Sequence, residues 1–138
     1  MNHASVERTI AGATRALVLG IGGGGDVVGA LSAGRLCEAL GTEFVLGGVA
    51  WERFAIDPKP GPRAIGEITG GRAVGGSTTL AGAETGTADG LRFCESLMAG
   101  FLGAPTVLVD VNGGPGGVAE GVAALAGGGE RGAGGWLG

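Results

Sequence analysis

Residues 15–40 read RALVLGIGGGGDVVGALSAGRLCEAL, and the glycine block inside this stretch limits what the chain can build. Ala16 to Leu19 form a continuous apolar run that stops at glycine. A run so short predicts a strand buried on both faces. The block then matches G-x-G-x-x-G, with Gly20, Gly22 and Gly25 in the fixed slots and Gly23 and Gly24 between them. A backbone without Cβ atoms can take positive φ and bring its N–H groups close to a ligand. Asp26 is placed to cap a helix that runs to Leu40, with Gly41 as its stop. The first-turn N–H groups of such a helix have no internal partners and carry the positive end of its dipole. An anion can rest there without a lysine.

The helix has the expected pattern. Val27, Val28, Leu31, Leu36, Cys37 and Leu40 are apolar, and Ser32, Arg35 and Glu38 form a polar stripe. Gly29 and Gly34 each weaken it by about 1 kcal/mol relative to alanine, and let it lie close to a sheet. The motif alone is a weak signal, because 34 of the 138 residues are glycine. A dinucleotide site wants an acid about 20 residues further on, at the end of the second strand. Here that strand end reads Leu46-Gly47-Gly48-Val49, and the next acid is Glu52, which argues against hydride transfer. The lysine and Ser/Thr of a P-loop are missing too.

Thr42 to Gly47 is the second strand, which makes residues 15–47 a right-handed βαβ unit with parallel strands. Residues 48–63, GVAWERFAIDPKPGPR, leave the carboxyl end of that strand, where open α/β sheets place their ligands. Prolines 58, 60 and 62 exclude helix and central strand. Trp51, Glu52, Arg53 and Asp57 are therefore candidates to line the same crevice as the glycine turn. Arg53 suits a phosphate and Trp51 a base. The plainer reading packs Trp51 under the loop and leaves Glu52 and Arg53 in solvent.

Ala64 to Thr69 predicts a helical turn, Arg72 to Leu80 a third strand, and Ala81 to Gly90 a loop. Leu91 to Leu102 predicts a second long helix. Its buried face should be Leu91, Cys94, Leu97, Met98, Phe101 and Leu102, with Arg92, Glu95 and Ser96 outside. Pro105 to Asp110 predicts a strand that ends in an acid and a second glycine turn containing Gly113 and Gly114. A helix over Val118 to Leu125 follows. Asp110 at that strand end is a candidate to hold Mg²⁺, to bond a ribose hydroxyl or to act as a base, or else only to form the turn. Residues 1–14 read as a flexible lead, 15–126 as one Rossmann-like α/β domain with an open, mainly parallel sheet, and 127–138 as a disordered glycine-rich tail carrying Trp136.

Composition narrows the function classes. A net charge of −4 with 4% aromatic residues gives no basic patch for nucleic acid. No apolar run reaches the ~18 residues of a membrane span, and no signal peptide is apparent, so the expected compartment is the cytoplasm. Cys37 and Cys94 read as buried reduced thiols. The single histidine, His3, lies in the lead, which leaves no metal site and no histidine base.

The segments LVLGIGGGGDVVGAL, VLGGVAWER-x-x-IDPKPGPR and VLVDVNGGPGG together resemble an archaeal and actinobacterial domain-of-unknown-function family, DUF1152, over about residues 15–125. The resemblance implies a Rossmann-like fold incomplete at the C-terminus, and no known reaction. It carries over Gly20, Gly22 to Gly25, Asp26, Trp51, Glu52, Arg53, Asp57, Pro58, Asp110, Gly113 and Gly114. Relatives continue with further α/β units, so the tail after Ala126 is expected to mark a truncated or frameshifted product. The functional expectation is a nucleotide or other phosphorylated small molecule on Gly20 to Asp26, with Trp51 to Arg53, Asp110, Gly113 and Gly114 beside it. The cofactor and reaction are left open, with nucleotide and Mg²⁺ as options, and a homo-oligomer is compatible. The rival expectation is a non-catalytic structural or regulatory module, or an inactive fragment.

Overall fold

The computed structural model describes residues 5–22, 24–59 and 61–127. Gly23, Pro60, the first four residues and the tail with Trp136 lie outside the described residues. In chain order the elements are α1 (Val6–Ala11), β1 (Arg15–Gly20), α2 (Gly25–Ala39), β2 (Glu43–Val49), a 3-10 turn (Ile65–Glu67), β3 (Ile68–Thr69), β4 (Arg72–Val74), β5 (Thr78–Ala81), β6 (Gly86–Thr87), α3 (Cys94–Leu102), β7 (Thr106–Val109) and α4 (Gly114–Gly127). Among the described residues no helix is long and apolar enough to cross a membrane.

The result is a mixed α/β fold. Its main sheet has the order β1-β2-β7-β5-β4, and β3 and β6 form a small separate sheet. β1 and β2 are parallel, with Arg15 opposite Glu43 and Gly20 opposite Gly48, and β2 and β7 are parallel too. β5 pairs antiparallel with β7, and β4 antiparallel with β5. The sheet is therefore mixed rather than mainly parallel. The expected single strand over residues 72–80 is in fact a hairpin, turned at Gly75, whose φ of +69° a residue with a Cβ rarely adopts. The residues predicted as a helical turn hold the 3-10 turn and β3, and the loop over 81–90 contains β6.

Alternation along the strands distributes the core to two sides. Val18, Phe44 and Leu46 meet Val27 and Leu31 of α2 and Met98 and Leu102 of α3. Leu17, Leu19 and Val45 face the other side with Val107, Val109 and Leu80, where Val118 and Leu125 of α4 pack. Gly34 brings α2 down on the sheet, since a Cβ there would overlap the ring of Phe44. Gly29 faces open space and has no such role. Val28 and Leu36, counted on the apolar side of α2, are exposed.

The face of α3 differs from expectation. Glu95, Ser96, Met98 and Ala99 are buried, while Leu97 and Phe101 are 55% and 74% exposed. Met98 and Leu102 face inward as expected, but Glu95 and Ala99 join them in place of Leu97 and Phe101, which turns the buried face by about one residue, ~100°. Leu91, counted on the expected face, and Phe93 precede the helix and are buried as extended chain. The inward Ser96 hydroxyl donates to the Thr85 carbonyl at 2.7 Å, and the Thr106 hydroxyl donates to the backbone carbonyl of Glu95 at 2.8 Å. α4 begins at Gly114, four residues before the expected start, with Pro115 in its first turn, where a missing N–H costs nothing.

Candidate functional site

β1, β2 and β7 end on one edge of the sheet, and the glycine turn, the Trp51 loop and Asp110 leave from it. Gly20 closes β1 tightly: a Cβ there would lie 2.5 Å from the Asp26 carbonyl carbon. Gly22 lies beneath the Asp26 carboxylate, which a Cβ would strike. Gly24 stands at the N-cap of α2 with φ +45° and no side-chain cap. Asp26 is therefore a first-turn acid inside the helix, not its cap. Gly25 differs from these neighbours, because it is exposed and nothing lies within 4 Å of a Cβ placed on it.

Glu52 is drawn under this turn. It is 3% exposed, its Oε2 lies 2.6 Å from a Cβ built on Gly24, and its Oε1 accepts the Cys94 N–H at 2.7 Å. Glu52 thus caps α3 from 42 residues away, with its charge against the positive end of that helix. The next residue of α3, Glu95, joins it. Glu95 is 1% exposed, its Oε1 fills the space a Gly48 side chain would take, and its Oε2 has no hydrogen-bond partner. Burial, reinforced by the nearby Glu52 charge, pushes its carboxyl up to about 8. Burial and then the Glu52 and Glu95 charges also raise the Cys94 thiol, which keeps it from acting as a ready thiolate. Sequence reading placed Glu95 outside, and no local signal separates it from an ordinary helix-surface acid.

The other candidates are distributed differently. Trp51 is half-buried, and Arg53 is exposed, with no ion pair among the described residues. The Arg53 carbonyl accepts the Ile56 and Asp57 N–H groups in a turn that leaves Phe54 77% exposed, on the same edge as the 83% exposed Ile21. Asp57 is buried and paired rather than exposed along a crevice. Its carboxylate takes the Nε and Nη2 of Arg63, both at 2.8 Å, and the Lys59 N–H. Arg63 also reaches Asp89 at 2.9 Å and Glu67 at 3.3 Å, and its N–H binds the Ala50 carbonyl at 2.7 Å. The Arg63 guanidinium holds the Asp57 carboxyl below its ordinary value, and Arg63 is in turn held charged. Asp89 is lowered by the Thr87 hydroxyl and then by Arg63. The acid and base at opposite ends of IDPKPGPR were the available hint of this clasp.

Asp110 is likewise occupied. Its Oδ2 accepts the Ile65 N–H, and its Oδ1 accepts both the N–H and the side-chain amide of Asn112, all at 2.8 Å. Burial raises its carboxyl, but these bonds outweigh it and leave the net shift downward. Gly113 and Gly114, the latter with φ +68°, serve the turn into α4. Among the described residues no three Cys, His, Asp or Glu side chains gather in a group fit for a metal ion.

A family model described as "Protein of unknown function (DUF1152)" matches residues 17–130. No curated protein and no solved structure matches the chain.

Proposed function

The chain belongs to that family, and we propose that it binds a phosphorylated small molecule, a nucleotide among the candidates, at the glycine-turn edge of the sheet. The anionic group sits over the first turn of α2, against the backbone of Gly22, Gly24, Gly25 and Asp26. The body of the ligand lies along Trp51 and Phe54, with Arg53 free to reach the phosphate. In this reading β1, α2, β2 and β7 act as the Rossmann-like half of the fold.

The observation that carries the proposal is the open face at Gly25, in the first turn of a helix whose N-cap offers no side chain. The nearby acids oppose an anion less than their number suggests. Glu52 is answered by the Cys94 N–H, and Glu95 is largely protonated near neutral pH. Exposed Asp26 can turn to solvent. A second reading, the packing module, draws on Gly20, Gly22 and Gly24, whose nearest neighbours are the protein's own atoms.

Thermal shift with ATP, GTP, NAD, sugar phosphates and inorganic phosphate decides between them. A ligand at 100 times its Kd stabilises by about 2.7 kcal/mol. Gly25→Ala should keep the unliganded melting temperature and lose the ligand shift. No shift with any ligand, in folded protein, leaves the packing module.

A further inference from the structure

Two carboxylates close enough to feel each other's charge are buried where two glycines clear space for them. Gly24 admits Glu52, and Gly48 admits Glu95, because a side chain at either position would strike the acid. The point where a Gly48 Cβ would stand also lies 3.2 Å from the Gly20 carbonyl oxygen, which borders the same space. Within the pair the charges are answered unequally. Glu52 has the Cys94 N–H at 2.7 Å. Glu95, 1% exposed, has a buried oxygen with no partner at all. Leaving a buried carboxylate oxygen unpaired is costly, and natural structures answer such groups with a proton, a cation or a hydrogen bond.

We propose that Glu95, with Glu52 and the Gly20 carbonyl, forms a binding site for a hard divalent cation, Mg²⁺ or Mn²⁺, beneath the glycine turn. Three oxygen donors, two of them carboxylates, suit Mg²⁺, which characteristically takes one or two carboxylates and fills the rest of its shell with water or phosphate oxygens. The site replaces Asp110 as the place where this chain would hold such an ion, since all the hydrogen bonds Asp110 makes are spent on Ile65 and Asn112. Loading the site releases the proton that Glu95 otherwise keeps, so affinity rises with pH. The inference does not depend on the phosphorylated ligand, because the cation is read by itself.

The test is Mn²⁺ binding to the full chain at pH 8, followed by the electron paramagnetic resonance of free Mn²⁺ and by competition with Mg²⁺. The wild type should take up Mn²⁺ at one site and release it to Mg²⁺. Glu95→Gln should bind about tenfold or more weakly, since charge count sets affinity at such sites. Its metal-free unfolding midpoint should equal or exceed that of the wild type, which shows that the fold is intact. Glu43→Gln, an exposed acid at the far end of β2, should bind as the wild type does. Should Glu95→Gln fail to fold, Glu52→Gln gives the same reading. Mn²⁺ left entirely free by the wild type at millimolar concentration, or bound unchanged by a folded Gln variant, overturns the proposal and leaves a proton on Glu95.

Discussion

The segment from Asp57 to Glu67 and the turn from Gly20 to Asp26 belong to the same edge of the sheet and treat charge in opposite ways. In the proline-rich segment every buried charge has a partner: Arg63 grips Asp57 with two bonds and extends to Glu67 and Asp89. Below the glycine turn, Glu52 has one backbone N–H, and Glu95 has an oxygen with nothing. A paired charge holds a loop in place and has little capacity left for a ligand. An underpaired one costs stability and is kept where something else completes it. We propose from this difference that the first segment is structural and the second binds.

The largest expected effect sharpens the structural side. Arg63→Met strands Asp57 and should cost about 3–5 kcal/mol, read from the urea midpoint with an unchanged slope. A loss below about 1 kcal/mol would break the assignment. The clasp also has a pH signature. Because Asp57 is held below its ordinary value, its stabilisation is complete above the unfolded carboxyl range and disappears as acid takes the pH down through its folded value.

The pH response of Glu95 has the opposite sign. Its folded value of about 8 stands above the ordinary 4.5, so the folded state binds the extra proton between them. Stability should fall as pH rises from 4.5 to about 8, by a few kcal/mol, in metal-free buffer. Glu95→Gln should flatten that slope in melting curves across the window. A wild-type slope that survives in the variant would take Glu95 out of the comparison.

Smaller effects follow. Gly34→Ala overpacks α2 against Phe44 and should cost about 1–3 kcal/mol by chemical denaturation. Asp110→Asn removes acceptor capacity from the Ile65 and Asn112 bonds and should cost about 1–2 kcal/mol. Mn²⁺ binding should not change in Asp110→Asn, which separates this acid from Glu95.

Local pattern made the β1–α2–β2 unit, its parallel strands and strand β7 legible, because apolar runs and glycine stops act within a few residues. Residues distant in sequence decide the rest. The antiparallel insertion of β5 beside β7 depends on a pairing that links Thr78 to Val109, which no local signal encodes. The buried face of α3 keeps Met98 and Leu102 but is turned by about one residue from the expected one, because Leu91, counted on its apolar side, belongs to the core but not to the helix. That shift concealed Glu95. Glu52 was legible as a candidate by its place after β2, whereas the role of Asp110 turns on an amide 45 residues away.

The most direct test of the account is an amide NMR titration of the folded chain with the phosphorylated ligand that gives the largest thermal shift. Shifts concentrated on Gly20, Gly22, Gly24, Gly25 and Asp26, with residues 57–67 still, are the predicted result. Shifts concentrated on the Asp57–Arg63 clasp, with a silent glycine turn, would contradict it.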